Sequence, residues 1–155
     1  MSKQAVQRSG PSGKHPMVSV VLPVRNRARL LHDCIASVLR QGVSLELFVV
    51  DDASTDGSGG VAAAFDDDRI TVVTLPHPAG AAAARNVALR RARGSFVAFI
   101  DSDTQWPAGR LELHATTLAL APPDVAVVYG DSWLIRDGSV VQRVPGSQDV
   151  LRDGD

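Results

Sequence analysis

Asp101 and Asp103 close the segment Gly-Ser-Phe-Val-Ala-Phe-Ile-Asp-Ser-Asp, residues 94–103, where an unbroken apolar run ends in two carboxylates. On an extended backbone both acids point to the same side, because side chains alternate with a period of two. Their Cα atoms then lie about 7 Å apart. Like charges at that spacing oppose each other's ionisation unless a cation lies between them, and hard oxygen donors favour Mg²⁺ or Mn²⁺. The tripeptide alone carries little weight, since Asp-x-Asp recurs at Asp66/Asp68 and Asp153/Asp155. Those copies lack an apolar strand leading in, so context singles out Asp101 and Asp103 as metal or ligand residues rather than a solvated strand end.

The elements that must place such a pair follow from periodicity. Residues 96–100 are short, aromatic and branched, which predicts a strand buried on both faces inside a parallel sheet. Residues 17–22 form a valine-rich strand stopped by Pro23, and residues 27–41 a helix with Asn26 as N-cap and Gly42 as stop. Cys34 falls on the apolar stripe of that helix and is expected in the core rather than as a nucleophile. Strand 45–50 runs into Asp51-Asp52-Ala-Ser-Thr-Asp, the second strand with acid at its C-terminal end. There Ser54 or Thr55 caps a short helix over 57–65; of Asp51 and Asp52, one closes a turn and the other is a candidate to accept hydrogen bonds from a ligand.

Strand 70–75 ends at Pro76, with His77 between two prolines. The next helix, 79–93, opens on Gly80 and four alanines and is almost bare for a turn and a half. That permits close approach of a neighbour or ligand, with Arg85 and Asn86 one turn further in. Its packing face is expected to be Ala82, Ala83, Val87 and Leu89. A helix over 107–122, a fifth strand at 125–129 and an antiparallel edge ribbon over 133–144, turning at Asp137-Gly138, complete the order. Alternating strands and helices imply an α/β, Rossmann-like, mostly parallel sheet with helices on both faces and a C-terminal edge hairpin. All parallel strands then end on one rim, which gathers residues 23–26, Asp51, Asp52, residues 80–85 and residues 101–103.

Composition bounds the rest. At 155 residues, 45% hydrophobic and 21% charged, the chain suits one globular domain, taken as residues 17–144 between flexible tails at 1–16 and 145–155. A formal net charge of −1 gives no basic field for nucleic acid. One cysteine excludes an internal disulfide, and no apolar run is long enough to span a bilayer, so the expected setting is the cytoplasm. Gly-x-x-x-x-Gly-Lys-Ser/Thr and Gly-x-Gly-x-x-Gly are both missing; acids stand where those phosphate binders have glycines. Carboxylates, a metal and an arginine suit a nucleoside diphosphate instead.

Four stretches together, Val-Ser-Val-Val-Leu-Pro-Val-Arg-Asn at 18–26, Val-Val-Asp-Asp-Ala-Ser-Thr-Asp at 49–56, Gly-Ala-Ala-Ala-Ala-Arg-Asn at 80–86 and Phe-Ile-Asp-Ser-Asp at 99–103, resemble the family 2 glycosyltransferases of the GT-A fold. The resemblance covers residues 17–129 and implies a UDP- or GDP-type nucleotide-sugar donor held with Mn²⁺ or Mg²⁺. It places Pro23, Val24, Arg25 and Asn26 beside the base, Asp52 on uracil or its equivalent, and Gly80 and Arg85 against base or diphosphate. Asp101 and Ser102 fall near the ribose, and Asp103, with Asp101, on the metal. Arg25 stands where an aromatic residue is common, and a guanidinium can also stack on a base. The family's acceptor half, with its Glu-Asp base and Gln-x-x-Arg-Trp segment, has no match after Asp103, and neither Asp131 nor Asp137 is nominated as the base. The chain is therefore expected to be the donor-binding half of an inverting enzyme, short or truncated, with an unknown acceptor. The alternative is a non-catalytic nucleotide-binding module. A phosphoacceptor receiver domain is disfavoured because no acid follows strand one. Apolar surface left by the missing half would favour a homo-oligomer.

Overall fold

The computed structural model describes residues 17–136 and 139–144, which divide into two compact units at the boundary between Gly109 and Arg110. The expected tails at 1–16 and 145–155 and the turn at Asp137-Gly138 lie outside the described residues.

The first unit holds β1 (Val18–Val24), α1 (Ala28–Leu39), β2 (Leu45–Asp51), α2 (Ser58–Ala63), β3 (Ile70–Thr74), α3 (Ala81–Leu89) and β4 (Phe96–Phe99). The strands form one parallel sheet in the order β3-β2-β1-β4. The chain winds outward through β1, β2 and β3, then returns to add β4 on the far side of β1. The order therefore reverses between β1 and β4, where open sheets of this type leave a crevice at the strand C-termini.

β1 and β2 are buried along their whole length, as the valine-rich sequence demands of central strands. On one face Val21, Phe48 and Val50 pack with Ala84 and Ala88 of α3. The α3 stripe is thus Ala84 and Ala88 at i, i+4, with Val87 partly buried, while the expected Ala82 and Leu89 are exposed. Alanines at the contact let the helix axis approach the sheet closely. α1 contributes Leu31, Cys34, Ile35 and Val38 to the core.

β4 departs from expectation. It is an edge strand, with Val97 41% and Phe99 52% exposed, not one buried on both faces. Pro23 departs too, because β1 continues through it to Val24. The Val21 carbonyl accepts from Ile100 on the β4 side and the Val24 carbonyl accepts from Asp52 on the β2 side. Alternation then aims position 23 at β4, beyond the last β1–β4 partners, Val21 and Phe99, so no ladder bond is lost there.

At the opposite rim Glu46 stitches the α3–β4 connection to the sheet. Its Oε1 accepts from Ser19 Oγ at 2.6 Å and from the Arg93 amide at 2.7 Å, and its Oε2 from Arg93 Nη2 at 3.0 Å. Burial works against ionisation here, but these bonds more than offset it and hold the carboxyl below its usual range.

In the second unit α4 (Arg110–Leu120) precedes β5 (Ser132–Arg136) and β6 (Ser139–Val144), which pair antiparallel as a two-stranded sheet. This antiparallel pair is the expected C-terminal hairpin, and it forms a two-stranded sheet of its own. The expected strand at 125–129 reduces to a single bridge at Val125, with Val127 and Tyr129 exposed. One bridge is too little pairing to make a strand of an apolar run. Trp133, Leu134, Ile135, Val140, Val141 and Val144 are also exposed. Among the described residues no helix is long and apolar enough to cross a membrane.

Gly94 offers a test of the lower rim. A Cβ there would lie 2.5 Å from the Ser19 amide nitrogen and 2.8 Å from the Val18 carbonyl carbon. Gly94→Ala is expected to cost about 1–3 kcal/mol, because the obstacle is strand backbone. Urea unfolding measures it, and an unchanged midpoint would show that the close approach is not a constraint.

Candidate functional site

Where β1 and β4 diverge, a cavity of about 340 Å³ opens at the C-terminal rim. Its lining is Pro23, Val24, Arg25, Arg27, Asp52, Gly80, Ala81, Asp101, Ser102 and Asp103. The ends of β1, β2 and β4 and the start of α3 thus meet in one place, because parallel strands share a direction and the switch point leaves the gap.

Asp52 forms the buried wall at 3% exposure. Its Oδ1 accepts from the Ala79 amide at 2.6 Å and its Oδ2 from the Gly80 amide at 3.0 Å, which folds the β3–α3 loop over the end of β2. Gly80 sits at φ 87°, ψ 160°, a conformation that disfavours any side chain. These bonds, that from Ala79 foremost, hold the Asp52 carboxyl below the usual carboxylate range although burial opposes them, and the charge of Arg25 adds to the effect. Arg25 Nη1 is 4.0 Å from Asp52 Oδ2, and its side chain is half exposed at the opening. The neighbouring Asp51 closes the turn, its Oδ1 accepting from the Ser54 amide at 3.0 Å. The two adjacent acids are thereby divided, one for the turn and one for the cavity.

Across the cavity Asp101 and Asp103 are exposed. Arg85 Nη2 donates to Asp101 Oδ1 at 2.7 Å, and this pair with Phe99 lines an adjoining cavity of about 320 Å³. Arg85 therefore reaches the rim through Asp101 instead of lining the main cavity. Behind them Cys34 donates to the Asp101 carbonyl at 3.5 Å. Burial, with the charge of Asp103 adding to it, pushes the thiol up to about 12, which fits a core cysteine.

Asn26 does not line the cavity. It sits at φ 52°, outside α1, and its Oδ1 accepts from the Thr55 amide at 2.9 Å; the N-cap position of α1 is Arg27, whose side chain makes no capping bond. Ser54 and Thr55 likewise do not cap α2, whose N-cap is Gly57. His77 lines a separate, mostly apolar cavity of about 240 Å³ beside α3. Arg27 and Ala81 line the main cavity without having been singled out in the sequence. Arg27 had a signal, since Arg25 and Arg27 are two apart in a non-helical stretch, but the helical pattern absorbed it.

Among the described residues no group of three or more His, Cys, Asp or Glu side chains could hold a metal ion. The described residues thus offer no closed cage; at the end of β4 they offer the carboxylates of Asp101 and Asp103. That donor set fits Mg²⁺ or Mn²⁺ of the kind that takes one or two carboxylates and completes its shell with phosphate oxygens and water.

An open parallel α/β sheet with acids from two strand ends at its switch point defines a doubly wound α/β fold with a crevice at the strand C-termini. Residues 19–143 match the model of glycosyl transferase family 2, and the chain belongs to that family. Among its relatives is the UDP-Glc:alpha-D-GlcNAc-diphosphoundecaprenol beta-1,3-glucosyltransferase WfgD of Escherichia coli, 35% identical over 135 residues, covering 86% of this chain and 53% of the relative. The putative teichuronic acid biosynthesis glycosyltransferase TuaG of Bacillus subtilis is 45% identical over 100 residues, covering 63% of this chain and 40% of its own. The mannosyltransferase PcManGT of Pyrobaculum calidifontis, solved with GDP-Man and Mn²⁺, superposes with a TM-score of 0.62 at 36% identity, over 79% of this chain and 36% of that one. S. aureus TarS 1–349 in complex with UDP-GlcNAc gives 0.60 at 29% identity, over 66% and 31%. Such neighbours are GT-A fold glycosyltransferases. The chain spans about half the length, or less, of the curated relatives described.

The Asp52 bonds predict a pH signature. A carboxyl held low in the fold contributes stability that is present above its unfolded pKa, about 3.9, and is lost as pH falls through the folded value. Asp52→Asn, which sets an amide NH₂ against a backbone N–H, is expected to lose about 1–3 kcal/mol at neutral pH. The gap to wild type should shrink in acid, and denaturant melts from pH 7 to 2 read it; a gap independent of pH would refute the pairing.

Proposed function

We propose that the cavity binds the nucleoside diphosphate of a sugar donor and that the chain supplies the donor half of an inverting glycosyl transfer. One observation carries this reading: a buried carboxylate held ionised by two backbone N–H groups faces the same cavity as the acidic end of β4. Ionised Asp52 can only accept. It complements a base edge that bears N–H, the N3–H of uracil or the N1–H and N2–H of guanine, and opposes the ring-nitrogen lone pair that cytosine or adenine presents. PcManGT was solved with GDP-Man and TarS with UDP-GlcNAc, one of each permitted kind.

Arg25, half exposed beside Asp52, is assigned to stack on the base and to favour an anionic ligand. Asp101, oriented by Arg85, is assigned to the ribose hydroxyls, with Ser102 beside it. Asp103, helped by Asp101, is the residue to hold a divalent cation. When bound, that cation neutralises charge on the diphosphate as it departs from the anomeric carbon. Direct displacement also needs a base for the acceptor hydroxyl. None is assigned: Asp52, Asp101 and Asp103 have the roles above, and Asp131 accepts from the Arg143 guanidinium. The second reading is a module that binds donor without transferring it.

Calorimetry with UDP, GDP, CDP and ADP in Mn²⁺ tests the proposal. UDP or GDP should bind at least about tenfold more tightly than CDP and ADP. Asp52→Ala should erase the preference, and chelation should weaken binding of the favoured nucleotide. Absence of heat with all four nucleotides in Mn²⁺ would count against the donor site. Sugar transfer or hydrolysis by the chain would exclude the binding-only reading.

A further inference from the structure

The cavity's two flanking cations, Arg25 and Arg27, sit on either side of Asn26 in a segment that belongs to no regular element. Free arginine loops sample many positions, and ordering them has an entropic cost. Here the backbone between them is tied to the β2–α2 loop by bonds in both directions. The Asn26 amide donates to Ser54 Oγ at 3.0 Å, the Arg27 amide to Ser58 Oγ at 3.0 Å and the Ala28 amide to Asp56 Oδ2 at 2.9 Å. In return Asn26 Oδ1 accepts from the Thr55 amide at 2.9 Å. Asp56 is itself braced, its Oδ1 accepting from Ser58 Oγ at 2.6 Å and from the Ser58 amide at 3.0 Å.

These bonds cap the N-terminus of α1 from another segment of the chain, since Arg27 makes no side-chain cap of its own. They also close on the site: the β2–α2 loop begins at Asp51 and Asp52, and the tied segment carries Arg25 and Arg27. Asn26 at φ 52° and Ala53 at φ 54° are left-handed non-glycine residues, one in each tied strand exit. Asparagine tolerates this conformation, whereas alanine does so at a cost that surrounding contacts must offset.

We propose that Asn26 is a positioning residue for nucleotide binding: through its bond to Thr55 it locks the segment that holds Arg25 and Arg27 over the cavity. The inference rests on the donor-site reading above and adds to it that affinity depends on a residue which does not line the cavity.

The test is a thermodynamic cycle measured by calorimetry with UDP and with GDP, each in Mn²⁺. Asn26→Gly keeps the backbone conformation available and removes only the side-chain acceptor. It is expected to weaken binding of the favoured nucleotide about tenfold. In an Arg25→Ala/Arg27→Ala background the same change should leave affinity within about twofold, because the residue acts through those side chains. A general structural role would cost the same in both backgrounds. Ser54→Ala, which removes one acceptor of the tie, is the second variant and should weaken binding about threefold. Wild-type binding that survives both Asn26→Gly and Ser54→Ala unchanged, or equal losses in the two backgrounds, would overturn the positioning role alone. Wild-type protein that binds neither nucleotide would overturn the donor-site reading and this role with it.

Discussion

The fold's upper rim depends on one buried carboxylate. Asp52 directly follows β2 and holds the amides of Ala79 and Gly80, so it anchors the loop that starts α3. Because the anchor is a charge removed from water, it must be matched by donors, and the loop supplies two. Under the proposed function the same requirement sets what it recognises: Asp52 has nothing to donate, so a partner in the cavity must be a donor. Folding and the proposed recognition would then draw on a single electrostatic constraint.

Around that anchor the sheet does the positioning. Parallel strands deliver three chain ends to one rim, and the reversal of order beside β1 leaves room there. Pro23 marks the place where β1 stops needing β4. Had the β1–β4 ladder continued, the space bordered by Pro23, Asp101 and Asp103 would be filled by backbone. The lower rim shows the complementary use of an acid, with Glu46 fully engaged by Ser19 and Arg93 and serving packing alone. What separates the two carboxylates is what they face: Asp52 borders a cavity, Glu46 the protein's own side chains.

Much of this was legible in the sequence because its signals were local. β1 and β2 are mostly apolar, and the acids that follow β2 and β4 stand out against them. Gly80 and the alanines announced a close approach at α3. What the sequence hid was relational. The division of labour between Asp51 and Asp52 depends on where the Ser54 and Ala79 amides fall, which no spacing reveals. Asn26 resembled an N-cap because asparagine before an apolar helix usually is one, yet its side chain turns to a loop 29 residues away. β4 resembled an interior strand because its composition is the same whether a neighbour covers its outer face or not. The run at 125–129 resembled a strand by propensity, which has little force where a single bridge is all that forms.

The central claim is that Asp52 stays ionised in the fold because Ala79 and Gly80 hold it. A carbon-detected NMR titration of the Asp52 side-chain carboxyl in the ligand-free protein measures this directly. The account predicts a midpoint below the ordinary aspartate value of about 3.9, moving further down when UDP or GDP donates to it. A midpoint at or above that value, the sign of a buried carboxyl without its donors, would contradict it.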